Sequence, residues 1–143
     1  MLLVSTRMLL HSLAVLAEKW ESGVRMNCKD IEREVGLNER TISVGLTKLA
    51  KSGILDSITG GRIRGYKFAR DPKDVYLSEV IEIVEGKCTF HCGKEIIDGM
   101  SCGNTKENCS VYKIYEELYV EVKERLGELS VYEYALACTV NRN

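Results

Sequence analysis

The stretch "NCKDIEREVGLNERTISVGLTKLAKSG", residues 27–53, decides how this chain folds. Asn27 suits an N-cap, with Asp30 three residues on to complete a reciprocal cap. Met26 and Ile31 flank that start at the spacing of a hydrophobic staple. The first helix is short and stops at Gly36, a natural left-handed C-cap. Only Leu37 separates it from the next start signal, Asn38, and Leu37 and Ile42 repeat the staple. Ile42, Leu46 and Leu49 then recur at helical spacing until Gly53. A short helix, a tight turn holding a glycine and a second helix make a helix-turn-helix. Such a motif lays its second helix in the major groove with its N-terminal residues facing bases. Asn38, Glu39, Arg40, Thr41 and Ser43 occupy those positions, with Lys48 nearer the phosphates.

The flanks extend the motif. Upstream, Leu9, Leu13, Leu16 and Trp20 form a helical stripe over residues 5–20, with Ser5 or Thr6 as its expected N-cap. Arg7 lies on the same segment and adds a further basic DNA-binding candidate. Downstream, "ILDSITGGRIRGYKFARDP" (residues 54–72) carries strand formers on both sides of Gly60-Gly61, which reads as a β-hairpin. Arg62 and Arg64 sit at its tip and Lys67 on its return strand, suited to phosphate or minor-groove contact. A basic hairpin directly after a helix-turn-helix predicts a winged helix over residues 1–72.

Pro72, the single proline, marks a boundary. "VYLSEVIEIVEG" (residues 75–86) predicts a short helix with Ser78 as N-cap and Gly86 as stop. A long amphipathic helix is expected from Ser110 to Gly127, with Val111, Ile114, Tyr115, Leu118, Tyr119, Val122 and Leu126 on one stripe. Such a stripe needs a partner, and the same helix of a second copy would supply it. "ELSVYEYALACTV" (residues 128–140) reads as a short final helix. The expected architecture is therefore mainly α with a small β-hairpin wing. Residues 1–72 form the DNA-binding part. Residues 73–143 hold a cysteine loop (87–109), a dimerisation helix (110–127) and the last helix.

Charge divides along the same line. The chain has a net charge of −1, but residues 1–70 carry 12 basic and 7 acidic side chains, against 8 and 14 in residues 71–143. The front half is thus at +5 and the back half at −6, a split that suits a polyanion partner for the front half alone. No apolar run is long enough to span a membrane. The apolar N-terminus lacks a basic n-region and is interrupted by Arg7 and His11, so it does not read as a signal peptide. A cytoplasmic location with reduced thiols is the expectation. The sequence contains no C-x-x-C pair, no phosphate-binding glycine loop and only 2 histidines, which argues against an enzyme.

Between the two acidic-half helices lies "CTFHCGKEIIDGMSCGNTKENC" (residues 88–109), holding four of the chain's 6 cysteines. Thiolates are soft ligands that suit iron–sulfur clusters and zinc. The absence of paired C-x-x-C knuckles weighs against zinc, which stays as an alternative beside a bare thiol switch. Cys28 and Cys138 read as packed thiols, though the helix-start position of Cys28 would favour thiolate character and reactivity.

The order of these parts resembles the winged-helix regulators that include the iron–sulfur cluster regulator IscR, the nitric-oxide regulator NsrR, the iron regulator RirA and the cysteine regulator CymR. The resemblance runs from "VSTRMLLHSLAVLA" through "KDIEREVGLNERTISVGLTKLAKSGIL". It is sharpest at "SITGGRIRGYKFARDPKDVYLSEVIEIVEG". It implies a homodimer on a near-palindromic double-stranded DNA operator. It also implies a 2Fe-2S or 4Fe-4S cluster held by Cys92, Cys102 and Cys109, with a variable fourth ligand. Cys88 is the first candidate for that ligand, ahead of His91 and His11. The chain departs from the pattern at several points. Its cysteine spacing is wider, with nine and then six residues intervening. Tyr112 stands where IscR has a histidine. Ser43-Val44 replaces the Glu-Gln pair of the IscR recognition helix. Gly45 follows inside that helix, at a cost of roughly 1 kcal/mol. Thr59 replaces the wing's usual arginine, a contact that Arg62 and Arg64 are placed to take over.

Overall fold

The computed structural model describes residues 3–86 and 107–142. Six α-helices and one two-stranded sheet follow in the order α1 (Val4–Glu18), α2 (Cys28–Val35), α3 (Glu39–Lys51), β1 (Leu55–Ile58), β2 (Gly65–Phe68), α4 (Leu77–Glu85), α5 (Ser110–Gly127) and α6 (Val131–Arg142). This is a winged helix with three further helices, as the sequence leads one to expect.

Helix α2 starts at a complete capping box: Asn27 Oδ1 accepts from the Asp30 N–H, and Asp30 Oδ2 accepts from the Asn27 N–H. It ends at Gly36 in the left-handed conformation. Met26, Ile31 and Ile42 are buried, and Leu37 packs on the same core, as two staples require. Helix α1 fills the centre. Leu9, Leu13, Ala14, Val15 and Leu16 are all buried, and Ile42, Leu46 and Leu49 of α3 join them in one cluster. Gly45 lies at the crossing of α1 and α3. A Cβ there would fall 2.5 Å from Leu9 Cδ2. The propensity lost to a helical glycine thus goes to close approach of the two helices.

The wing is tied down on its second strand. β1 and β2 pair antiparallel from Leu55↔Phe68 to Ile58↔Gly65. Met26 forms a further bridge to Tyr66, with N–H···O distances of 3.0 and 2.8 Å. The connection after α1 is therefore a one-residue third strand, which its sequence, read as a plain turn, does not reveal. Gly65 has φ +125°, and a Cβ on it would lie 2.5 Å from the Met26 carbonyl carbon. No side chain fits there.

Two expected helix starts move. α1 begins at Val4 with Leu3 as N-cap and no side-chain cap, where Ser5 or Thr6 was expected. The Leu3 N–H instead donates to the Glu85 carboxylate of α4 at 2.8 Å, so a distant acid holds the N-cap residue in place. α4 begins at Leu77 with Tyr76 as N-cap, where Ser78 was expected. Here backbone pairing fixes the start: the Leu77 N–H donates to Leu129 O and the Val131 N–H to Val75 O. The last helix opens on a reciprocal cap between Ser130 and Glu133. Those Ser130 hydrogen bonds, backbone first, hold the Glu133 carboxyl below the usual range. α6 then lies along α1, with His11 and Tyr134 3.4 Å apart and Thr139 donating to Glu18.

Substituting Gly65 by alanine is expected to lower stability by about 2–4 kcal/mol, from strain at positive φ plus a backbone clash. Gly60→Ala, in open space on the same hairpin, is expected to stay within about 0.5 kcal/mol. Urea denaturation of both variants checks the contrast.

Candidate nucleic-acid interface and cysteine segment

Helix α3 turns one face inward and one outward. Ile42, Gly45, Leu46 and Leu49 are buried, whereas Arg40, Val44, Thr47, Lys48 and Lys51 are exposed. Asn38 caps the helix, its Oδ1 accepting from the Arg40 N–H at 2.9 Å. Thr41 and Ser43 lie at the border and are half-buried. The Ser43 hydroxyl donates to Arg40 O at 3.3 Å, and the Thr47 hydroxyl to Ser43 O at 2.8 Å.

The wing stands beside the start of this helix. Glu39 and Arg64 line one groove of about 300 Å³, with Cys28, Lys29 and Tyr66. Arg62 and Arg64 are exposed in the six-residue connection between β1 and β2, and Lys67 is half-buried on β2. Arg7 is exposed on α1, outside that groove. Lys48 has a specific partner: its Nζ donates to Val84 O at 3.0 Å, at the C-terminal end of α4. An ammonium has three protons, so two stay available to a phosphate.

Sequence reasoning missed the residue that steadies the wing. Arg25 is ion-paired to Asp56 at the base of β1, and its guanidinium also donates to Asp56 O at 3.1 Å and Gly65 O at 3.3 Å. The Arg25 side chain is only 10% exposed. The Arg25 hydrogen bond, helped by the charges of Arg25 and Lys67 and opposed by burial, holds the Asp56 carboxyl below the usual range. No local pattern marks this pair, since its members are 31 residues apart. Just past the end of β2, Arg70 pairs with Glu79 of α4.

Of the four expected metal-binding cysteines, Cys88, Cys92 and Cys102 lie outside the described residues, as does His91. Cys109 is the N-cap of α5, where its Sγ accepts the Tyr112 N–H at 3.5 Å. Among the described residues no three potential metal ligands come together. Cys28 and Cys138 are half-buried against the core. Burial, then the charge of Glu39, raises the Cys28 thiol above its ordinary value, in keeping with a packed thiol. α5 buries none of its side chains: Val111, Ile114, Tyr115, Leu118 and Val122 are each more than half exposed. No described helix is long and apolar enough to cross a membrane.

A winged helix with an exposed recognition helix and an arginine-tipped hairpin defines a DNA-binding regulator. The match to the family model settles which kind: the chain belongs to the Rrf2 family, the iron-dependent transcriptional regulators, over residues 3–135. It is therefore a transcriptional regulator and not an enzyme. Similar solved structures carry the same fold. T. potens IscR superposes with TM-score 0.72 at 19% identity, covering 96% of this chain and 88% of that one. CymR (YrzC), the global cysteine regulator of B. subtilis, gives TM-score 0.72 at 20% identity, covering 96% and 97%. Staphylococcus aureus CymR gives TM-score 0.68 at 16% identity, covering 93% and 96%. No curated protein matches the chain in sequence.

The Arg25–Asp56 pair makes a pH-dependent contribution. Because the folded carboxyl titrates below its unfolded counterpart, the stabilisation is present above the ordinary carboxylate range. It is lost as the pH falls through the lowered value. Asp56→Asn is thus expected to melt below wild type at pH 7, with the gap closing toward pH 3. Thermal melts of both proteins across that range measure it.

Proposed function

We propose that this chain acts as a cytoplasmic homodimer on a near-palindromic duplex operator, with DNA affinity set by an iron–sulfur cluster in the cysteine segment. The observation that carries the DNA-binding half is the exposed outer face of α3 next to the basic wing, whose Arg64 shares a groove with Glu39 at the start of that helix. Arg40, Thr41 and Ser43 face base edges, with Asn38 and Glu39 at the helix entry. Arg7, Lys48, Arg62, Arg64 and Lys67 serve phosphates or the minor groove. The functional division falls near Pro72, with residues 1–72 meeting DNA and residues 73–143 holding the cysteine segment and the dimer helix. Two recognition helices must lie about one helical turn of DNA apart. The uncovered apolar stripe of α5 suits pairing with α5 of a second copy, in the manner of a coiled seam.

Cys109 suits a thiolate ligand. It heads an 18-residue helix, and its Sγ already accepts the Tyr112 N–H at 3.5 Å. Cys92 and Cys102 would join it, with Cys88 as the fourth ligand. A bound cluster supplies a charge that oxygen, nitric oxide or iron loss changes. The chain's own residues offer a route from there to DNA. The segment between Gly86 and Cys109 is anchored on α4 and α5. Lys123 and Glu82 join those helices at 3.6 Å, and Lys48 joins the end of α4 to α3. A shift of either anchor moves the recognition helix against its dimer mate.

The test is anaerobic purification with iron, sulfide and zinc analysis, followed by operator affinity with and without the metal. Matched iron and sulfide and an affinity difference of at least tenfold are expected. Zinc in place of iron, or equal affinities, would overturn the cluster switch. Arg64→Ala is expected to reduce the slope of log affinity against log salt by about 1. Leu118→Glu is expected to give a folded monomer in sedimentation velocity, because Leu118 supports no part of the subunit core.

A further inference from the structure

The outward face of α3 contains one side chain that neither folding nor phosphate binding explains. Val44 is 62% exposed in the middle of that face. A β-branched residue is a poor choice for an exposed helical position, where it stabilises the helix less than alanine, glutamine or lysine would. Its neighbours one turn away are Arg40 and Thr41 on one side and Thr47 and Lys48 on the other. The hydroxyl protons of Ser43 and Thr47 are already committed to carbonyls of their own helix. What this face extends around Val44 is therefore the Arg40 guanidinium on one side and the Lys48 ammonium, tethered to Val84 O, on the other, beside the methyl groups of Val44 and Thr47.

Of the groups on the major-groove edges of the four bases, the thymine C5 methyl is the apolar one, and guanine O6 and N7 are the pair that suits a guanidinium. We propose that Val44 is a specificity-determining residue that reads a thymine methyl in each half-site, close to a guanine read by Arg40. The inference rests on α3 being the helix that enters the groove. Residues four apart on a helix have Cβ atoms about 6 Å apart, and stacked bases are about 3.4 Å apart, so the two bases fall within about two steps of each other.

The test starts from the full-length protein and a randomised duplex library, from which bound sequences are enriched. Each thymine of the enriched site is then replaced by deoxyuridine, which deletes only the methyl and leaves base pairing intact. One thymine per half-site is expected to respond, with affinity of the wild type falling about three- to tenfold on loss of a buried methyl contact. Val44→Ala keeps a strong helix former at an exposed site, so it folds. It is expected to bind the thymine and deoxyuridine duplexes equally. If a site is enriched but no replacement matters, or the same replacement weakens Val44→Ala as much as wild type, the role of Val44 is refuted while DNA reading by α3 stands. If enrichment fails, or Arg40→Ala leaves it untouched, the reading of α3 itself falls and the role of Val44 falls with it.

Discussion

The close approach of α1 and α3 at Gly45 governs the rest of this structure. With no Cβ at that position, the α3 backbone settles against Leu9, which is buried within the same apolar cluster. The depth of that contact sets how α3 is rotated, and rotation decides which residues face out. Ile42, Leu46 and Leu49 lock the inward face, so the outward face is a by-product of packing and not an independent choice. The wing obeys a second close approach of the same kind. Gly65 lets β2 reach the backbone of Met26, and Met26 adjoins the Asn27 cap of α2. Two glycines thereby bring hairpin, turn and recognition helix into direct contact with their neighbours.

Much of this was legible in the sequence because local chemistry specifies it. Asn27 with Asp30, Gly36, Asn38 and the 42-46-49 spacing mark two helices and the turn between them with little ambiguity. The wing was legible from Gly60-Gly61 and its flanking strand formers. The start of α1 was not, because its terminal N–H finds an acceptor 82 residues away, on Glu85. The third strand at Met26 and the Arg25–Asp56 pair are hidden for the same reason. The reciprocal cap of α6 is written locally as Ser130-x-x-Glu133.

The candidate site was legible by class of residue more than by role. Arg40, Arg62 and Arg64 lie on the surface, as basic residues in a nucleic-acid motif must. Lys48 shows what spacing alone conceals. Its position along α3 suggests a phosphate contact, yet its ammonium also reaches the last turn of α4. Val44 and Thr47 were overlooked because an apolar residue on a helix is assumed to face the core until the buried stripe is located. Cys28 is legible as a packed thiol despite its helix-start position. A helix start lowers a thiol's pKa only where solvent and positive charge allow it, and here burial and Glu39 act the other way.

The pairing of α1 with α6 has a consequence for how the chain is made. A ribosome delivers α1 well before α6, and everything between them must emerge first. Until α6 arrives, the side of α1 carrying His11 and Glu18 has no cover, and the backbone pairing that starts α4 lacks its partners at Leu129 and Val131. The winged helix is thus completed by segments that follow the cysteine segment in the chain.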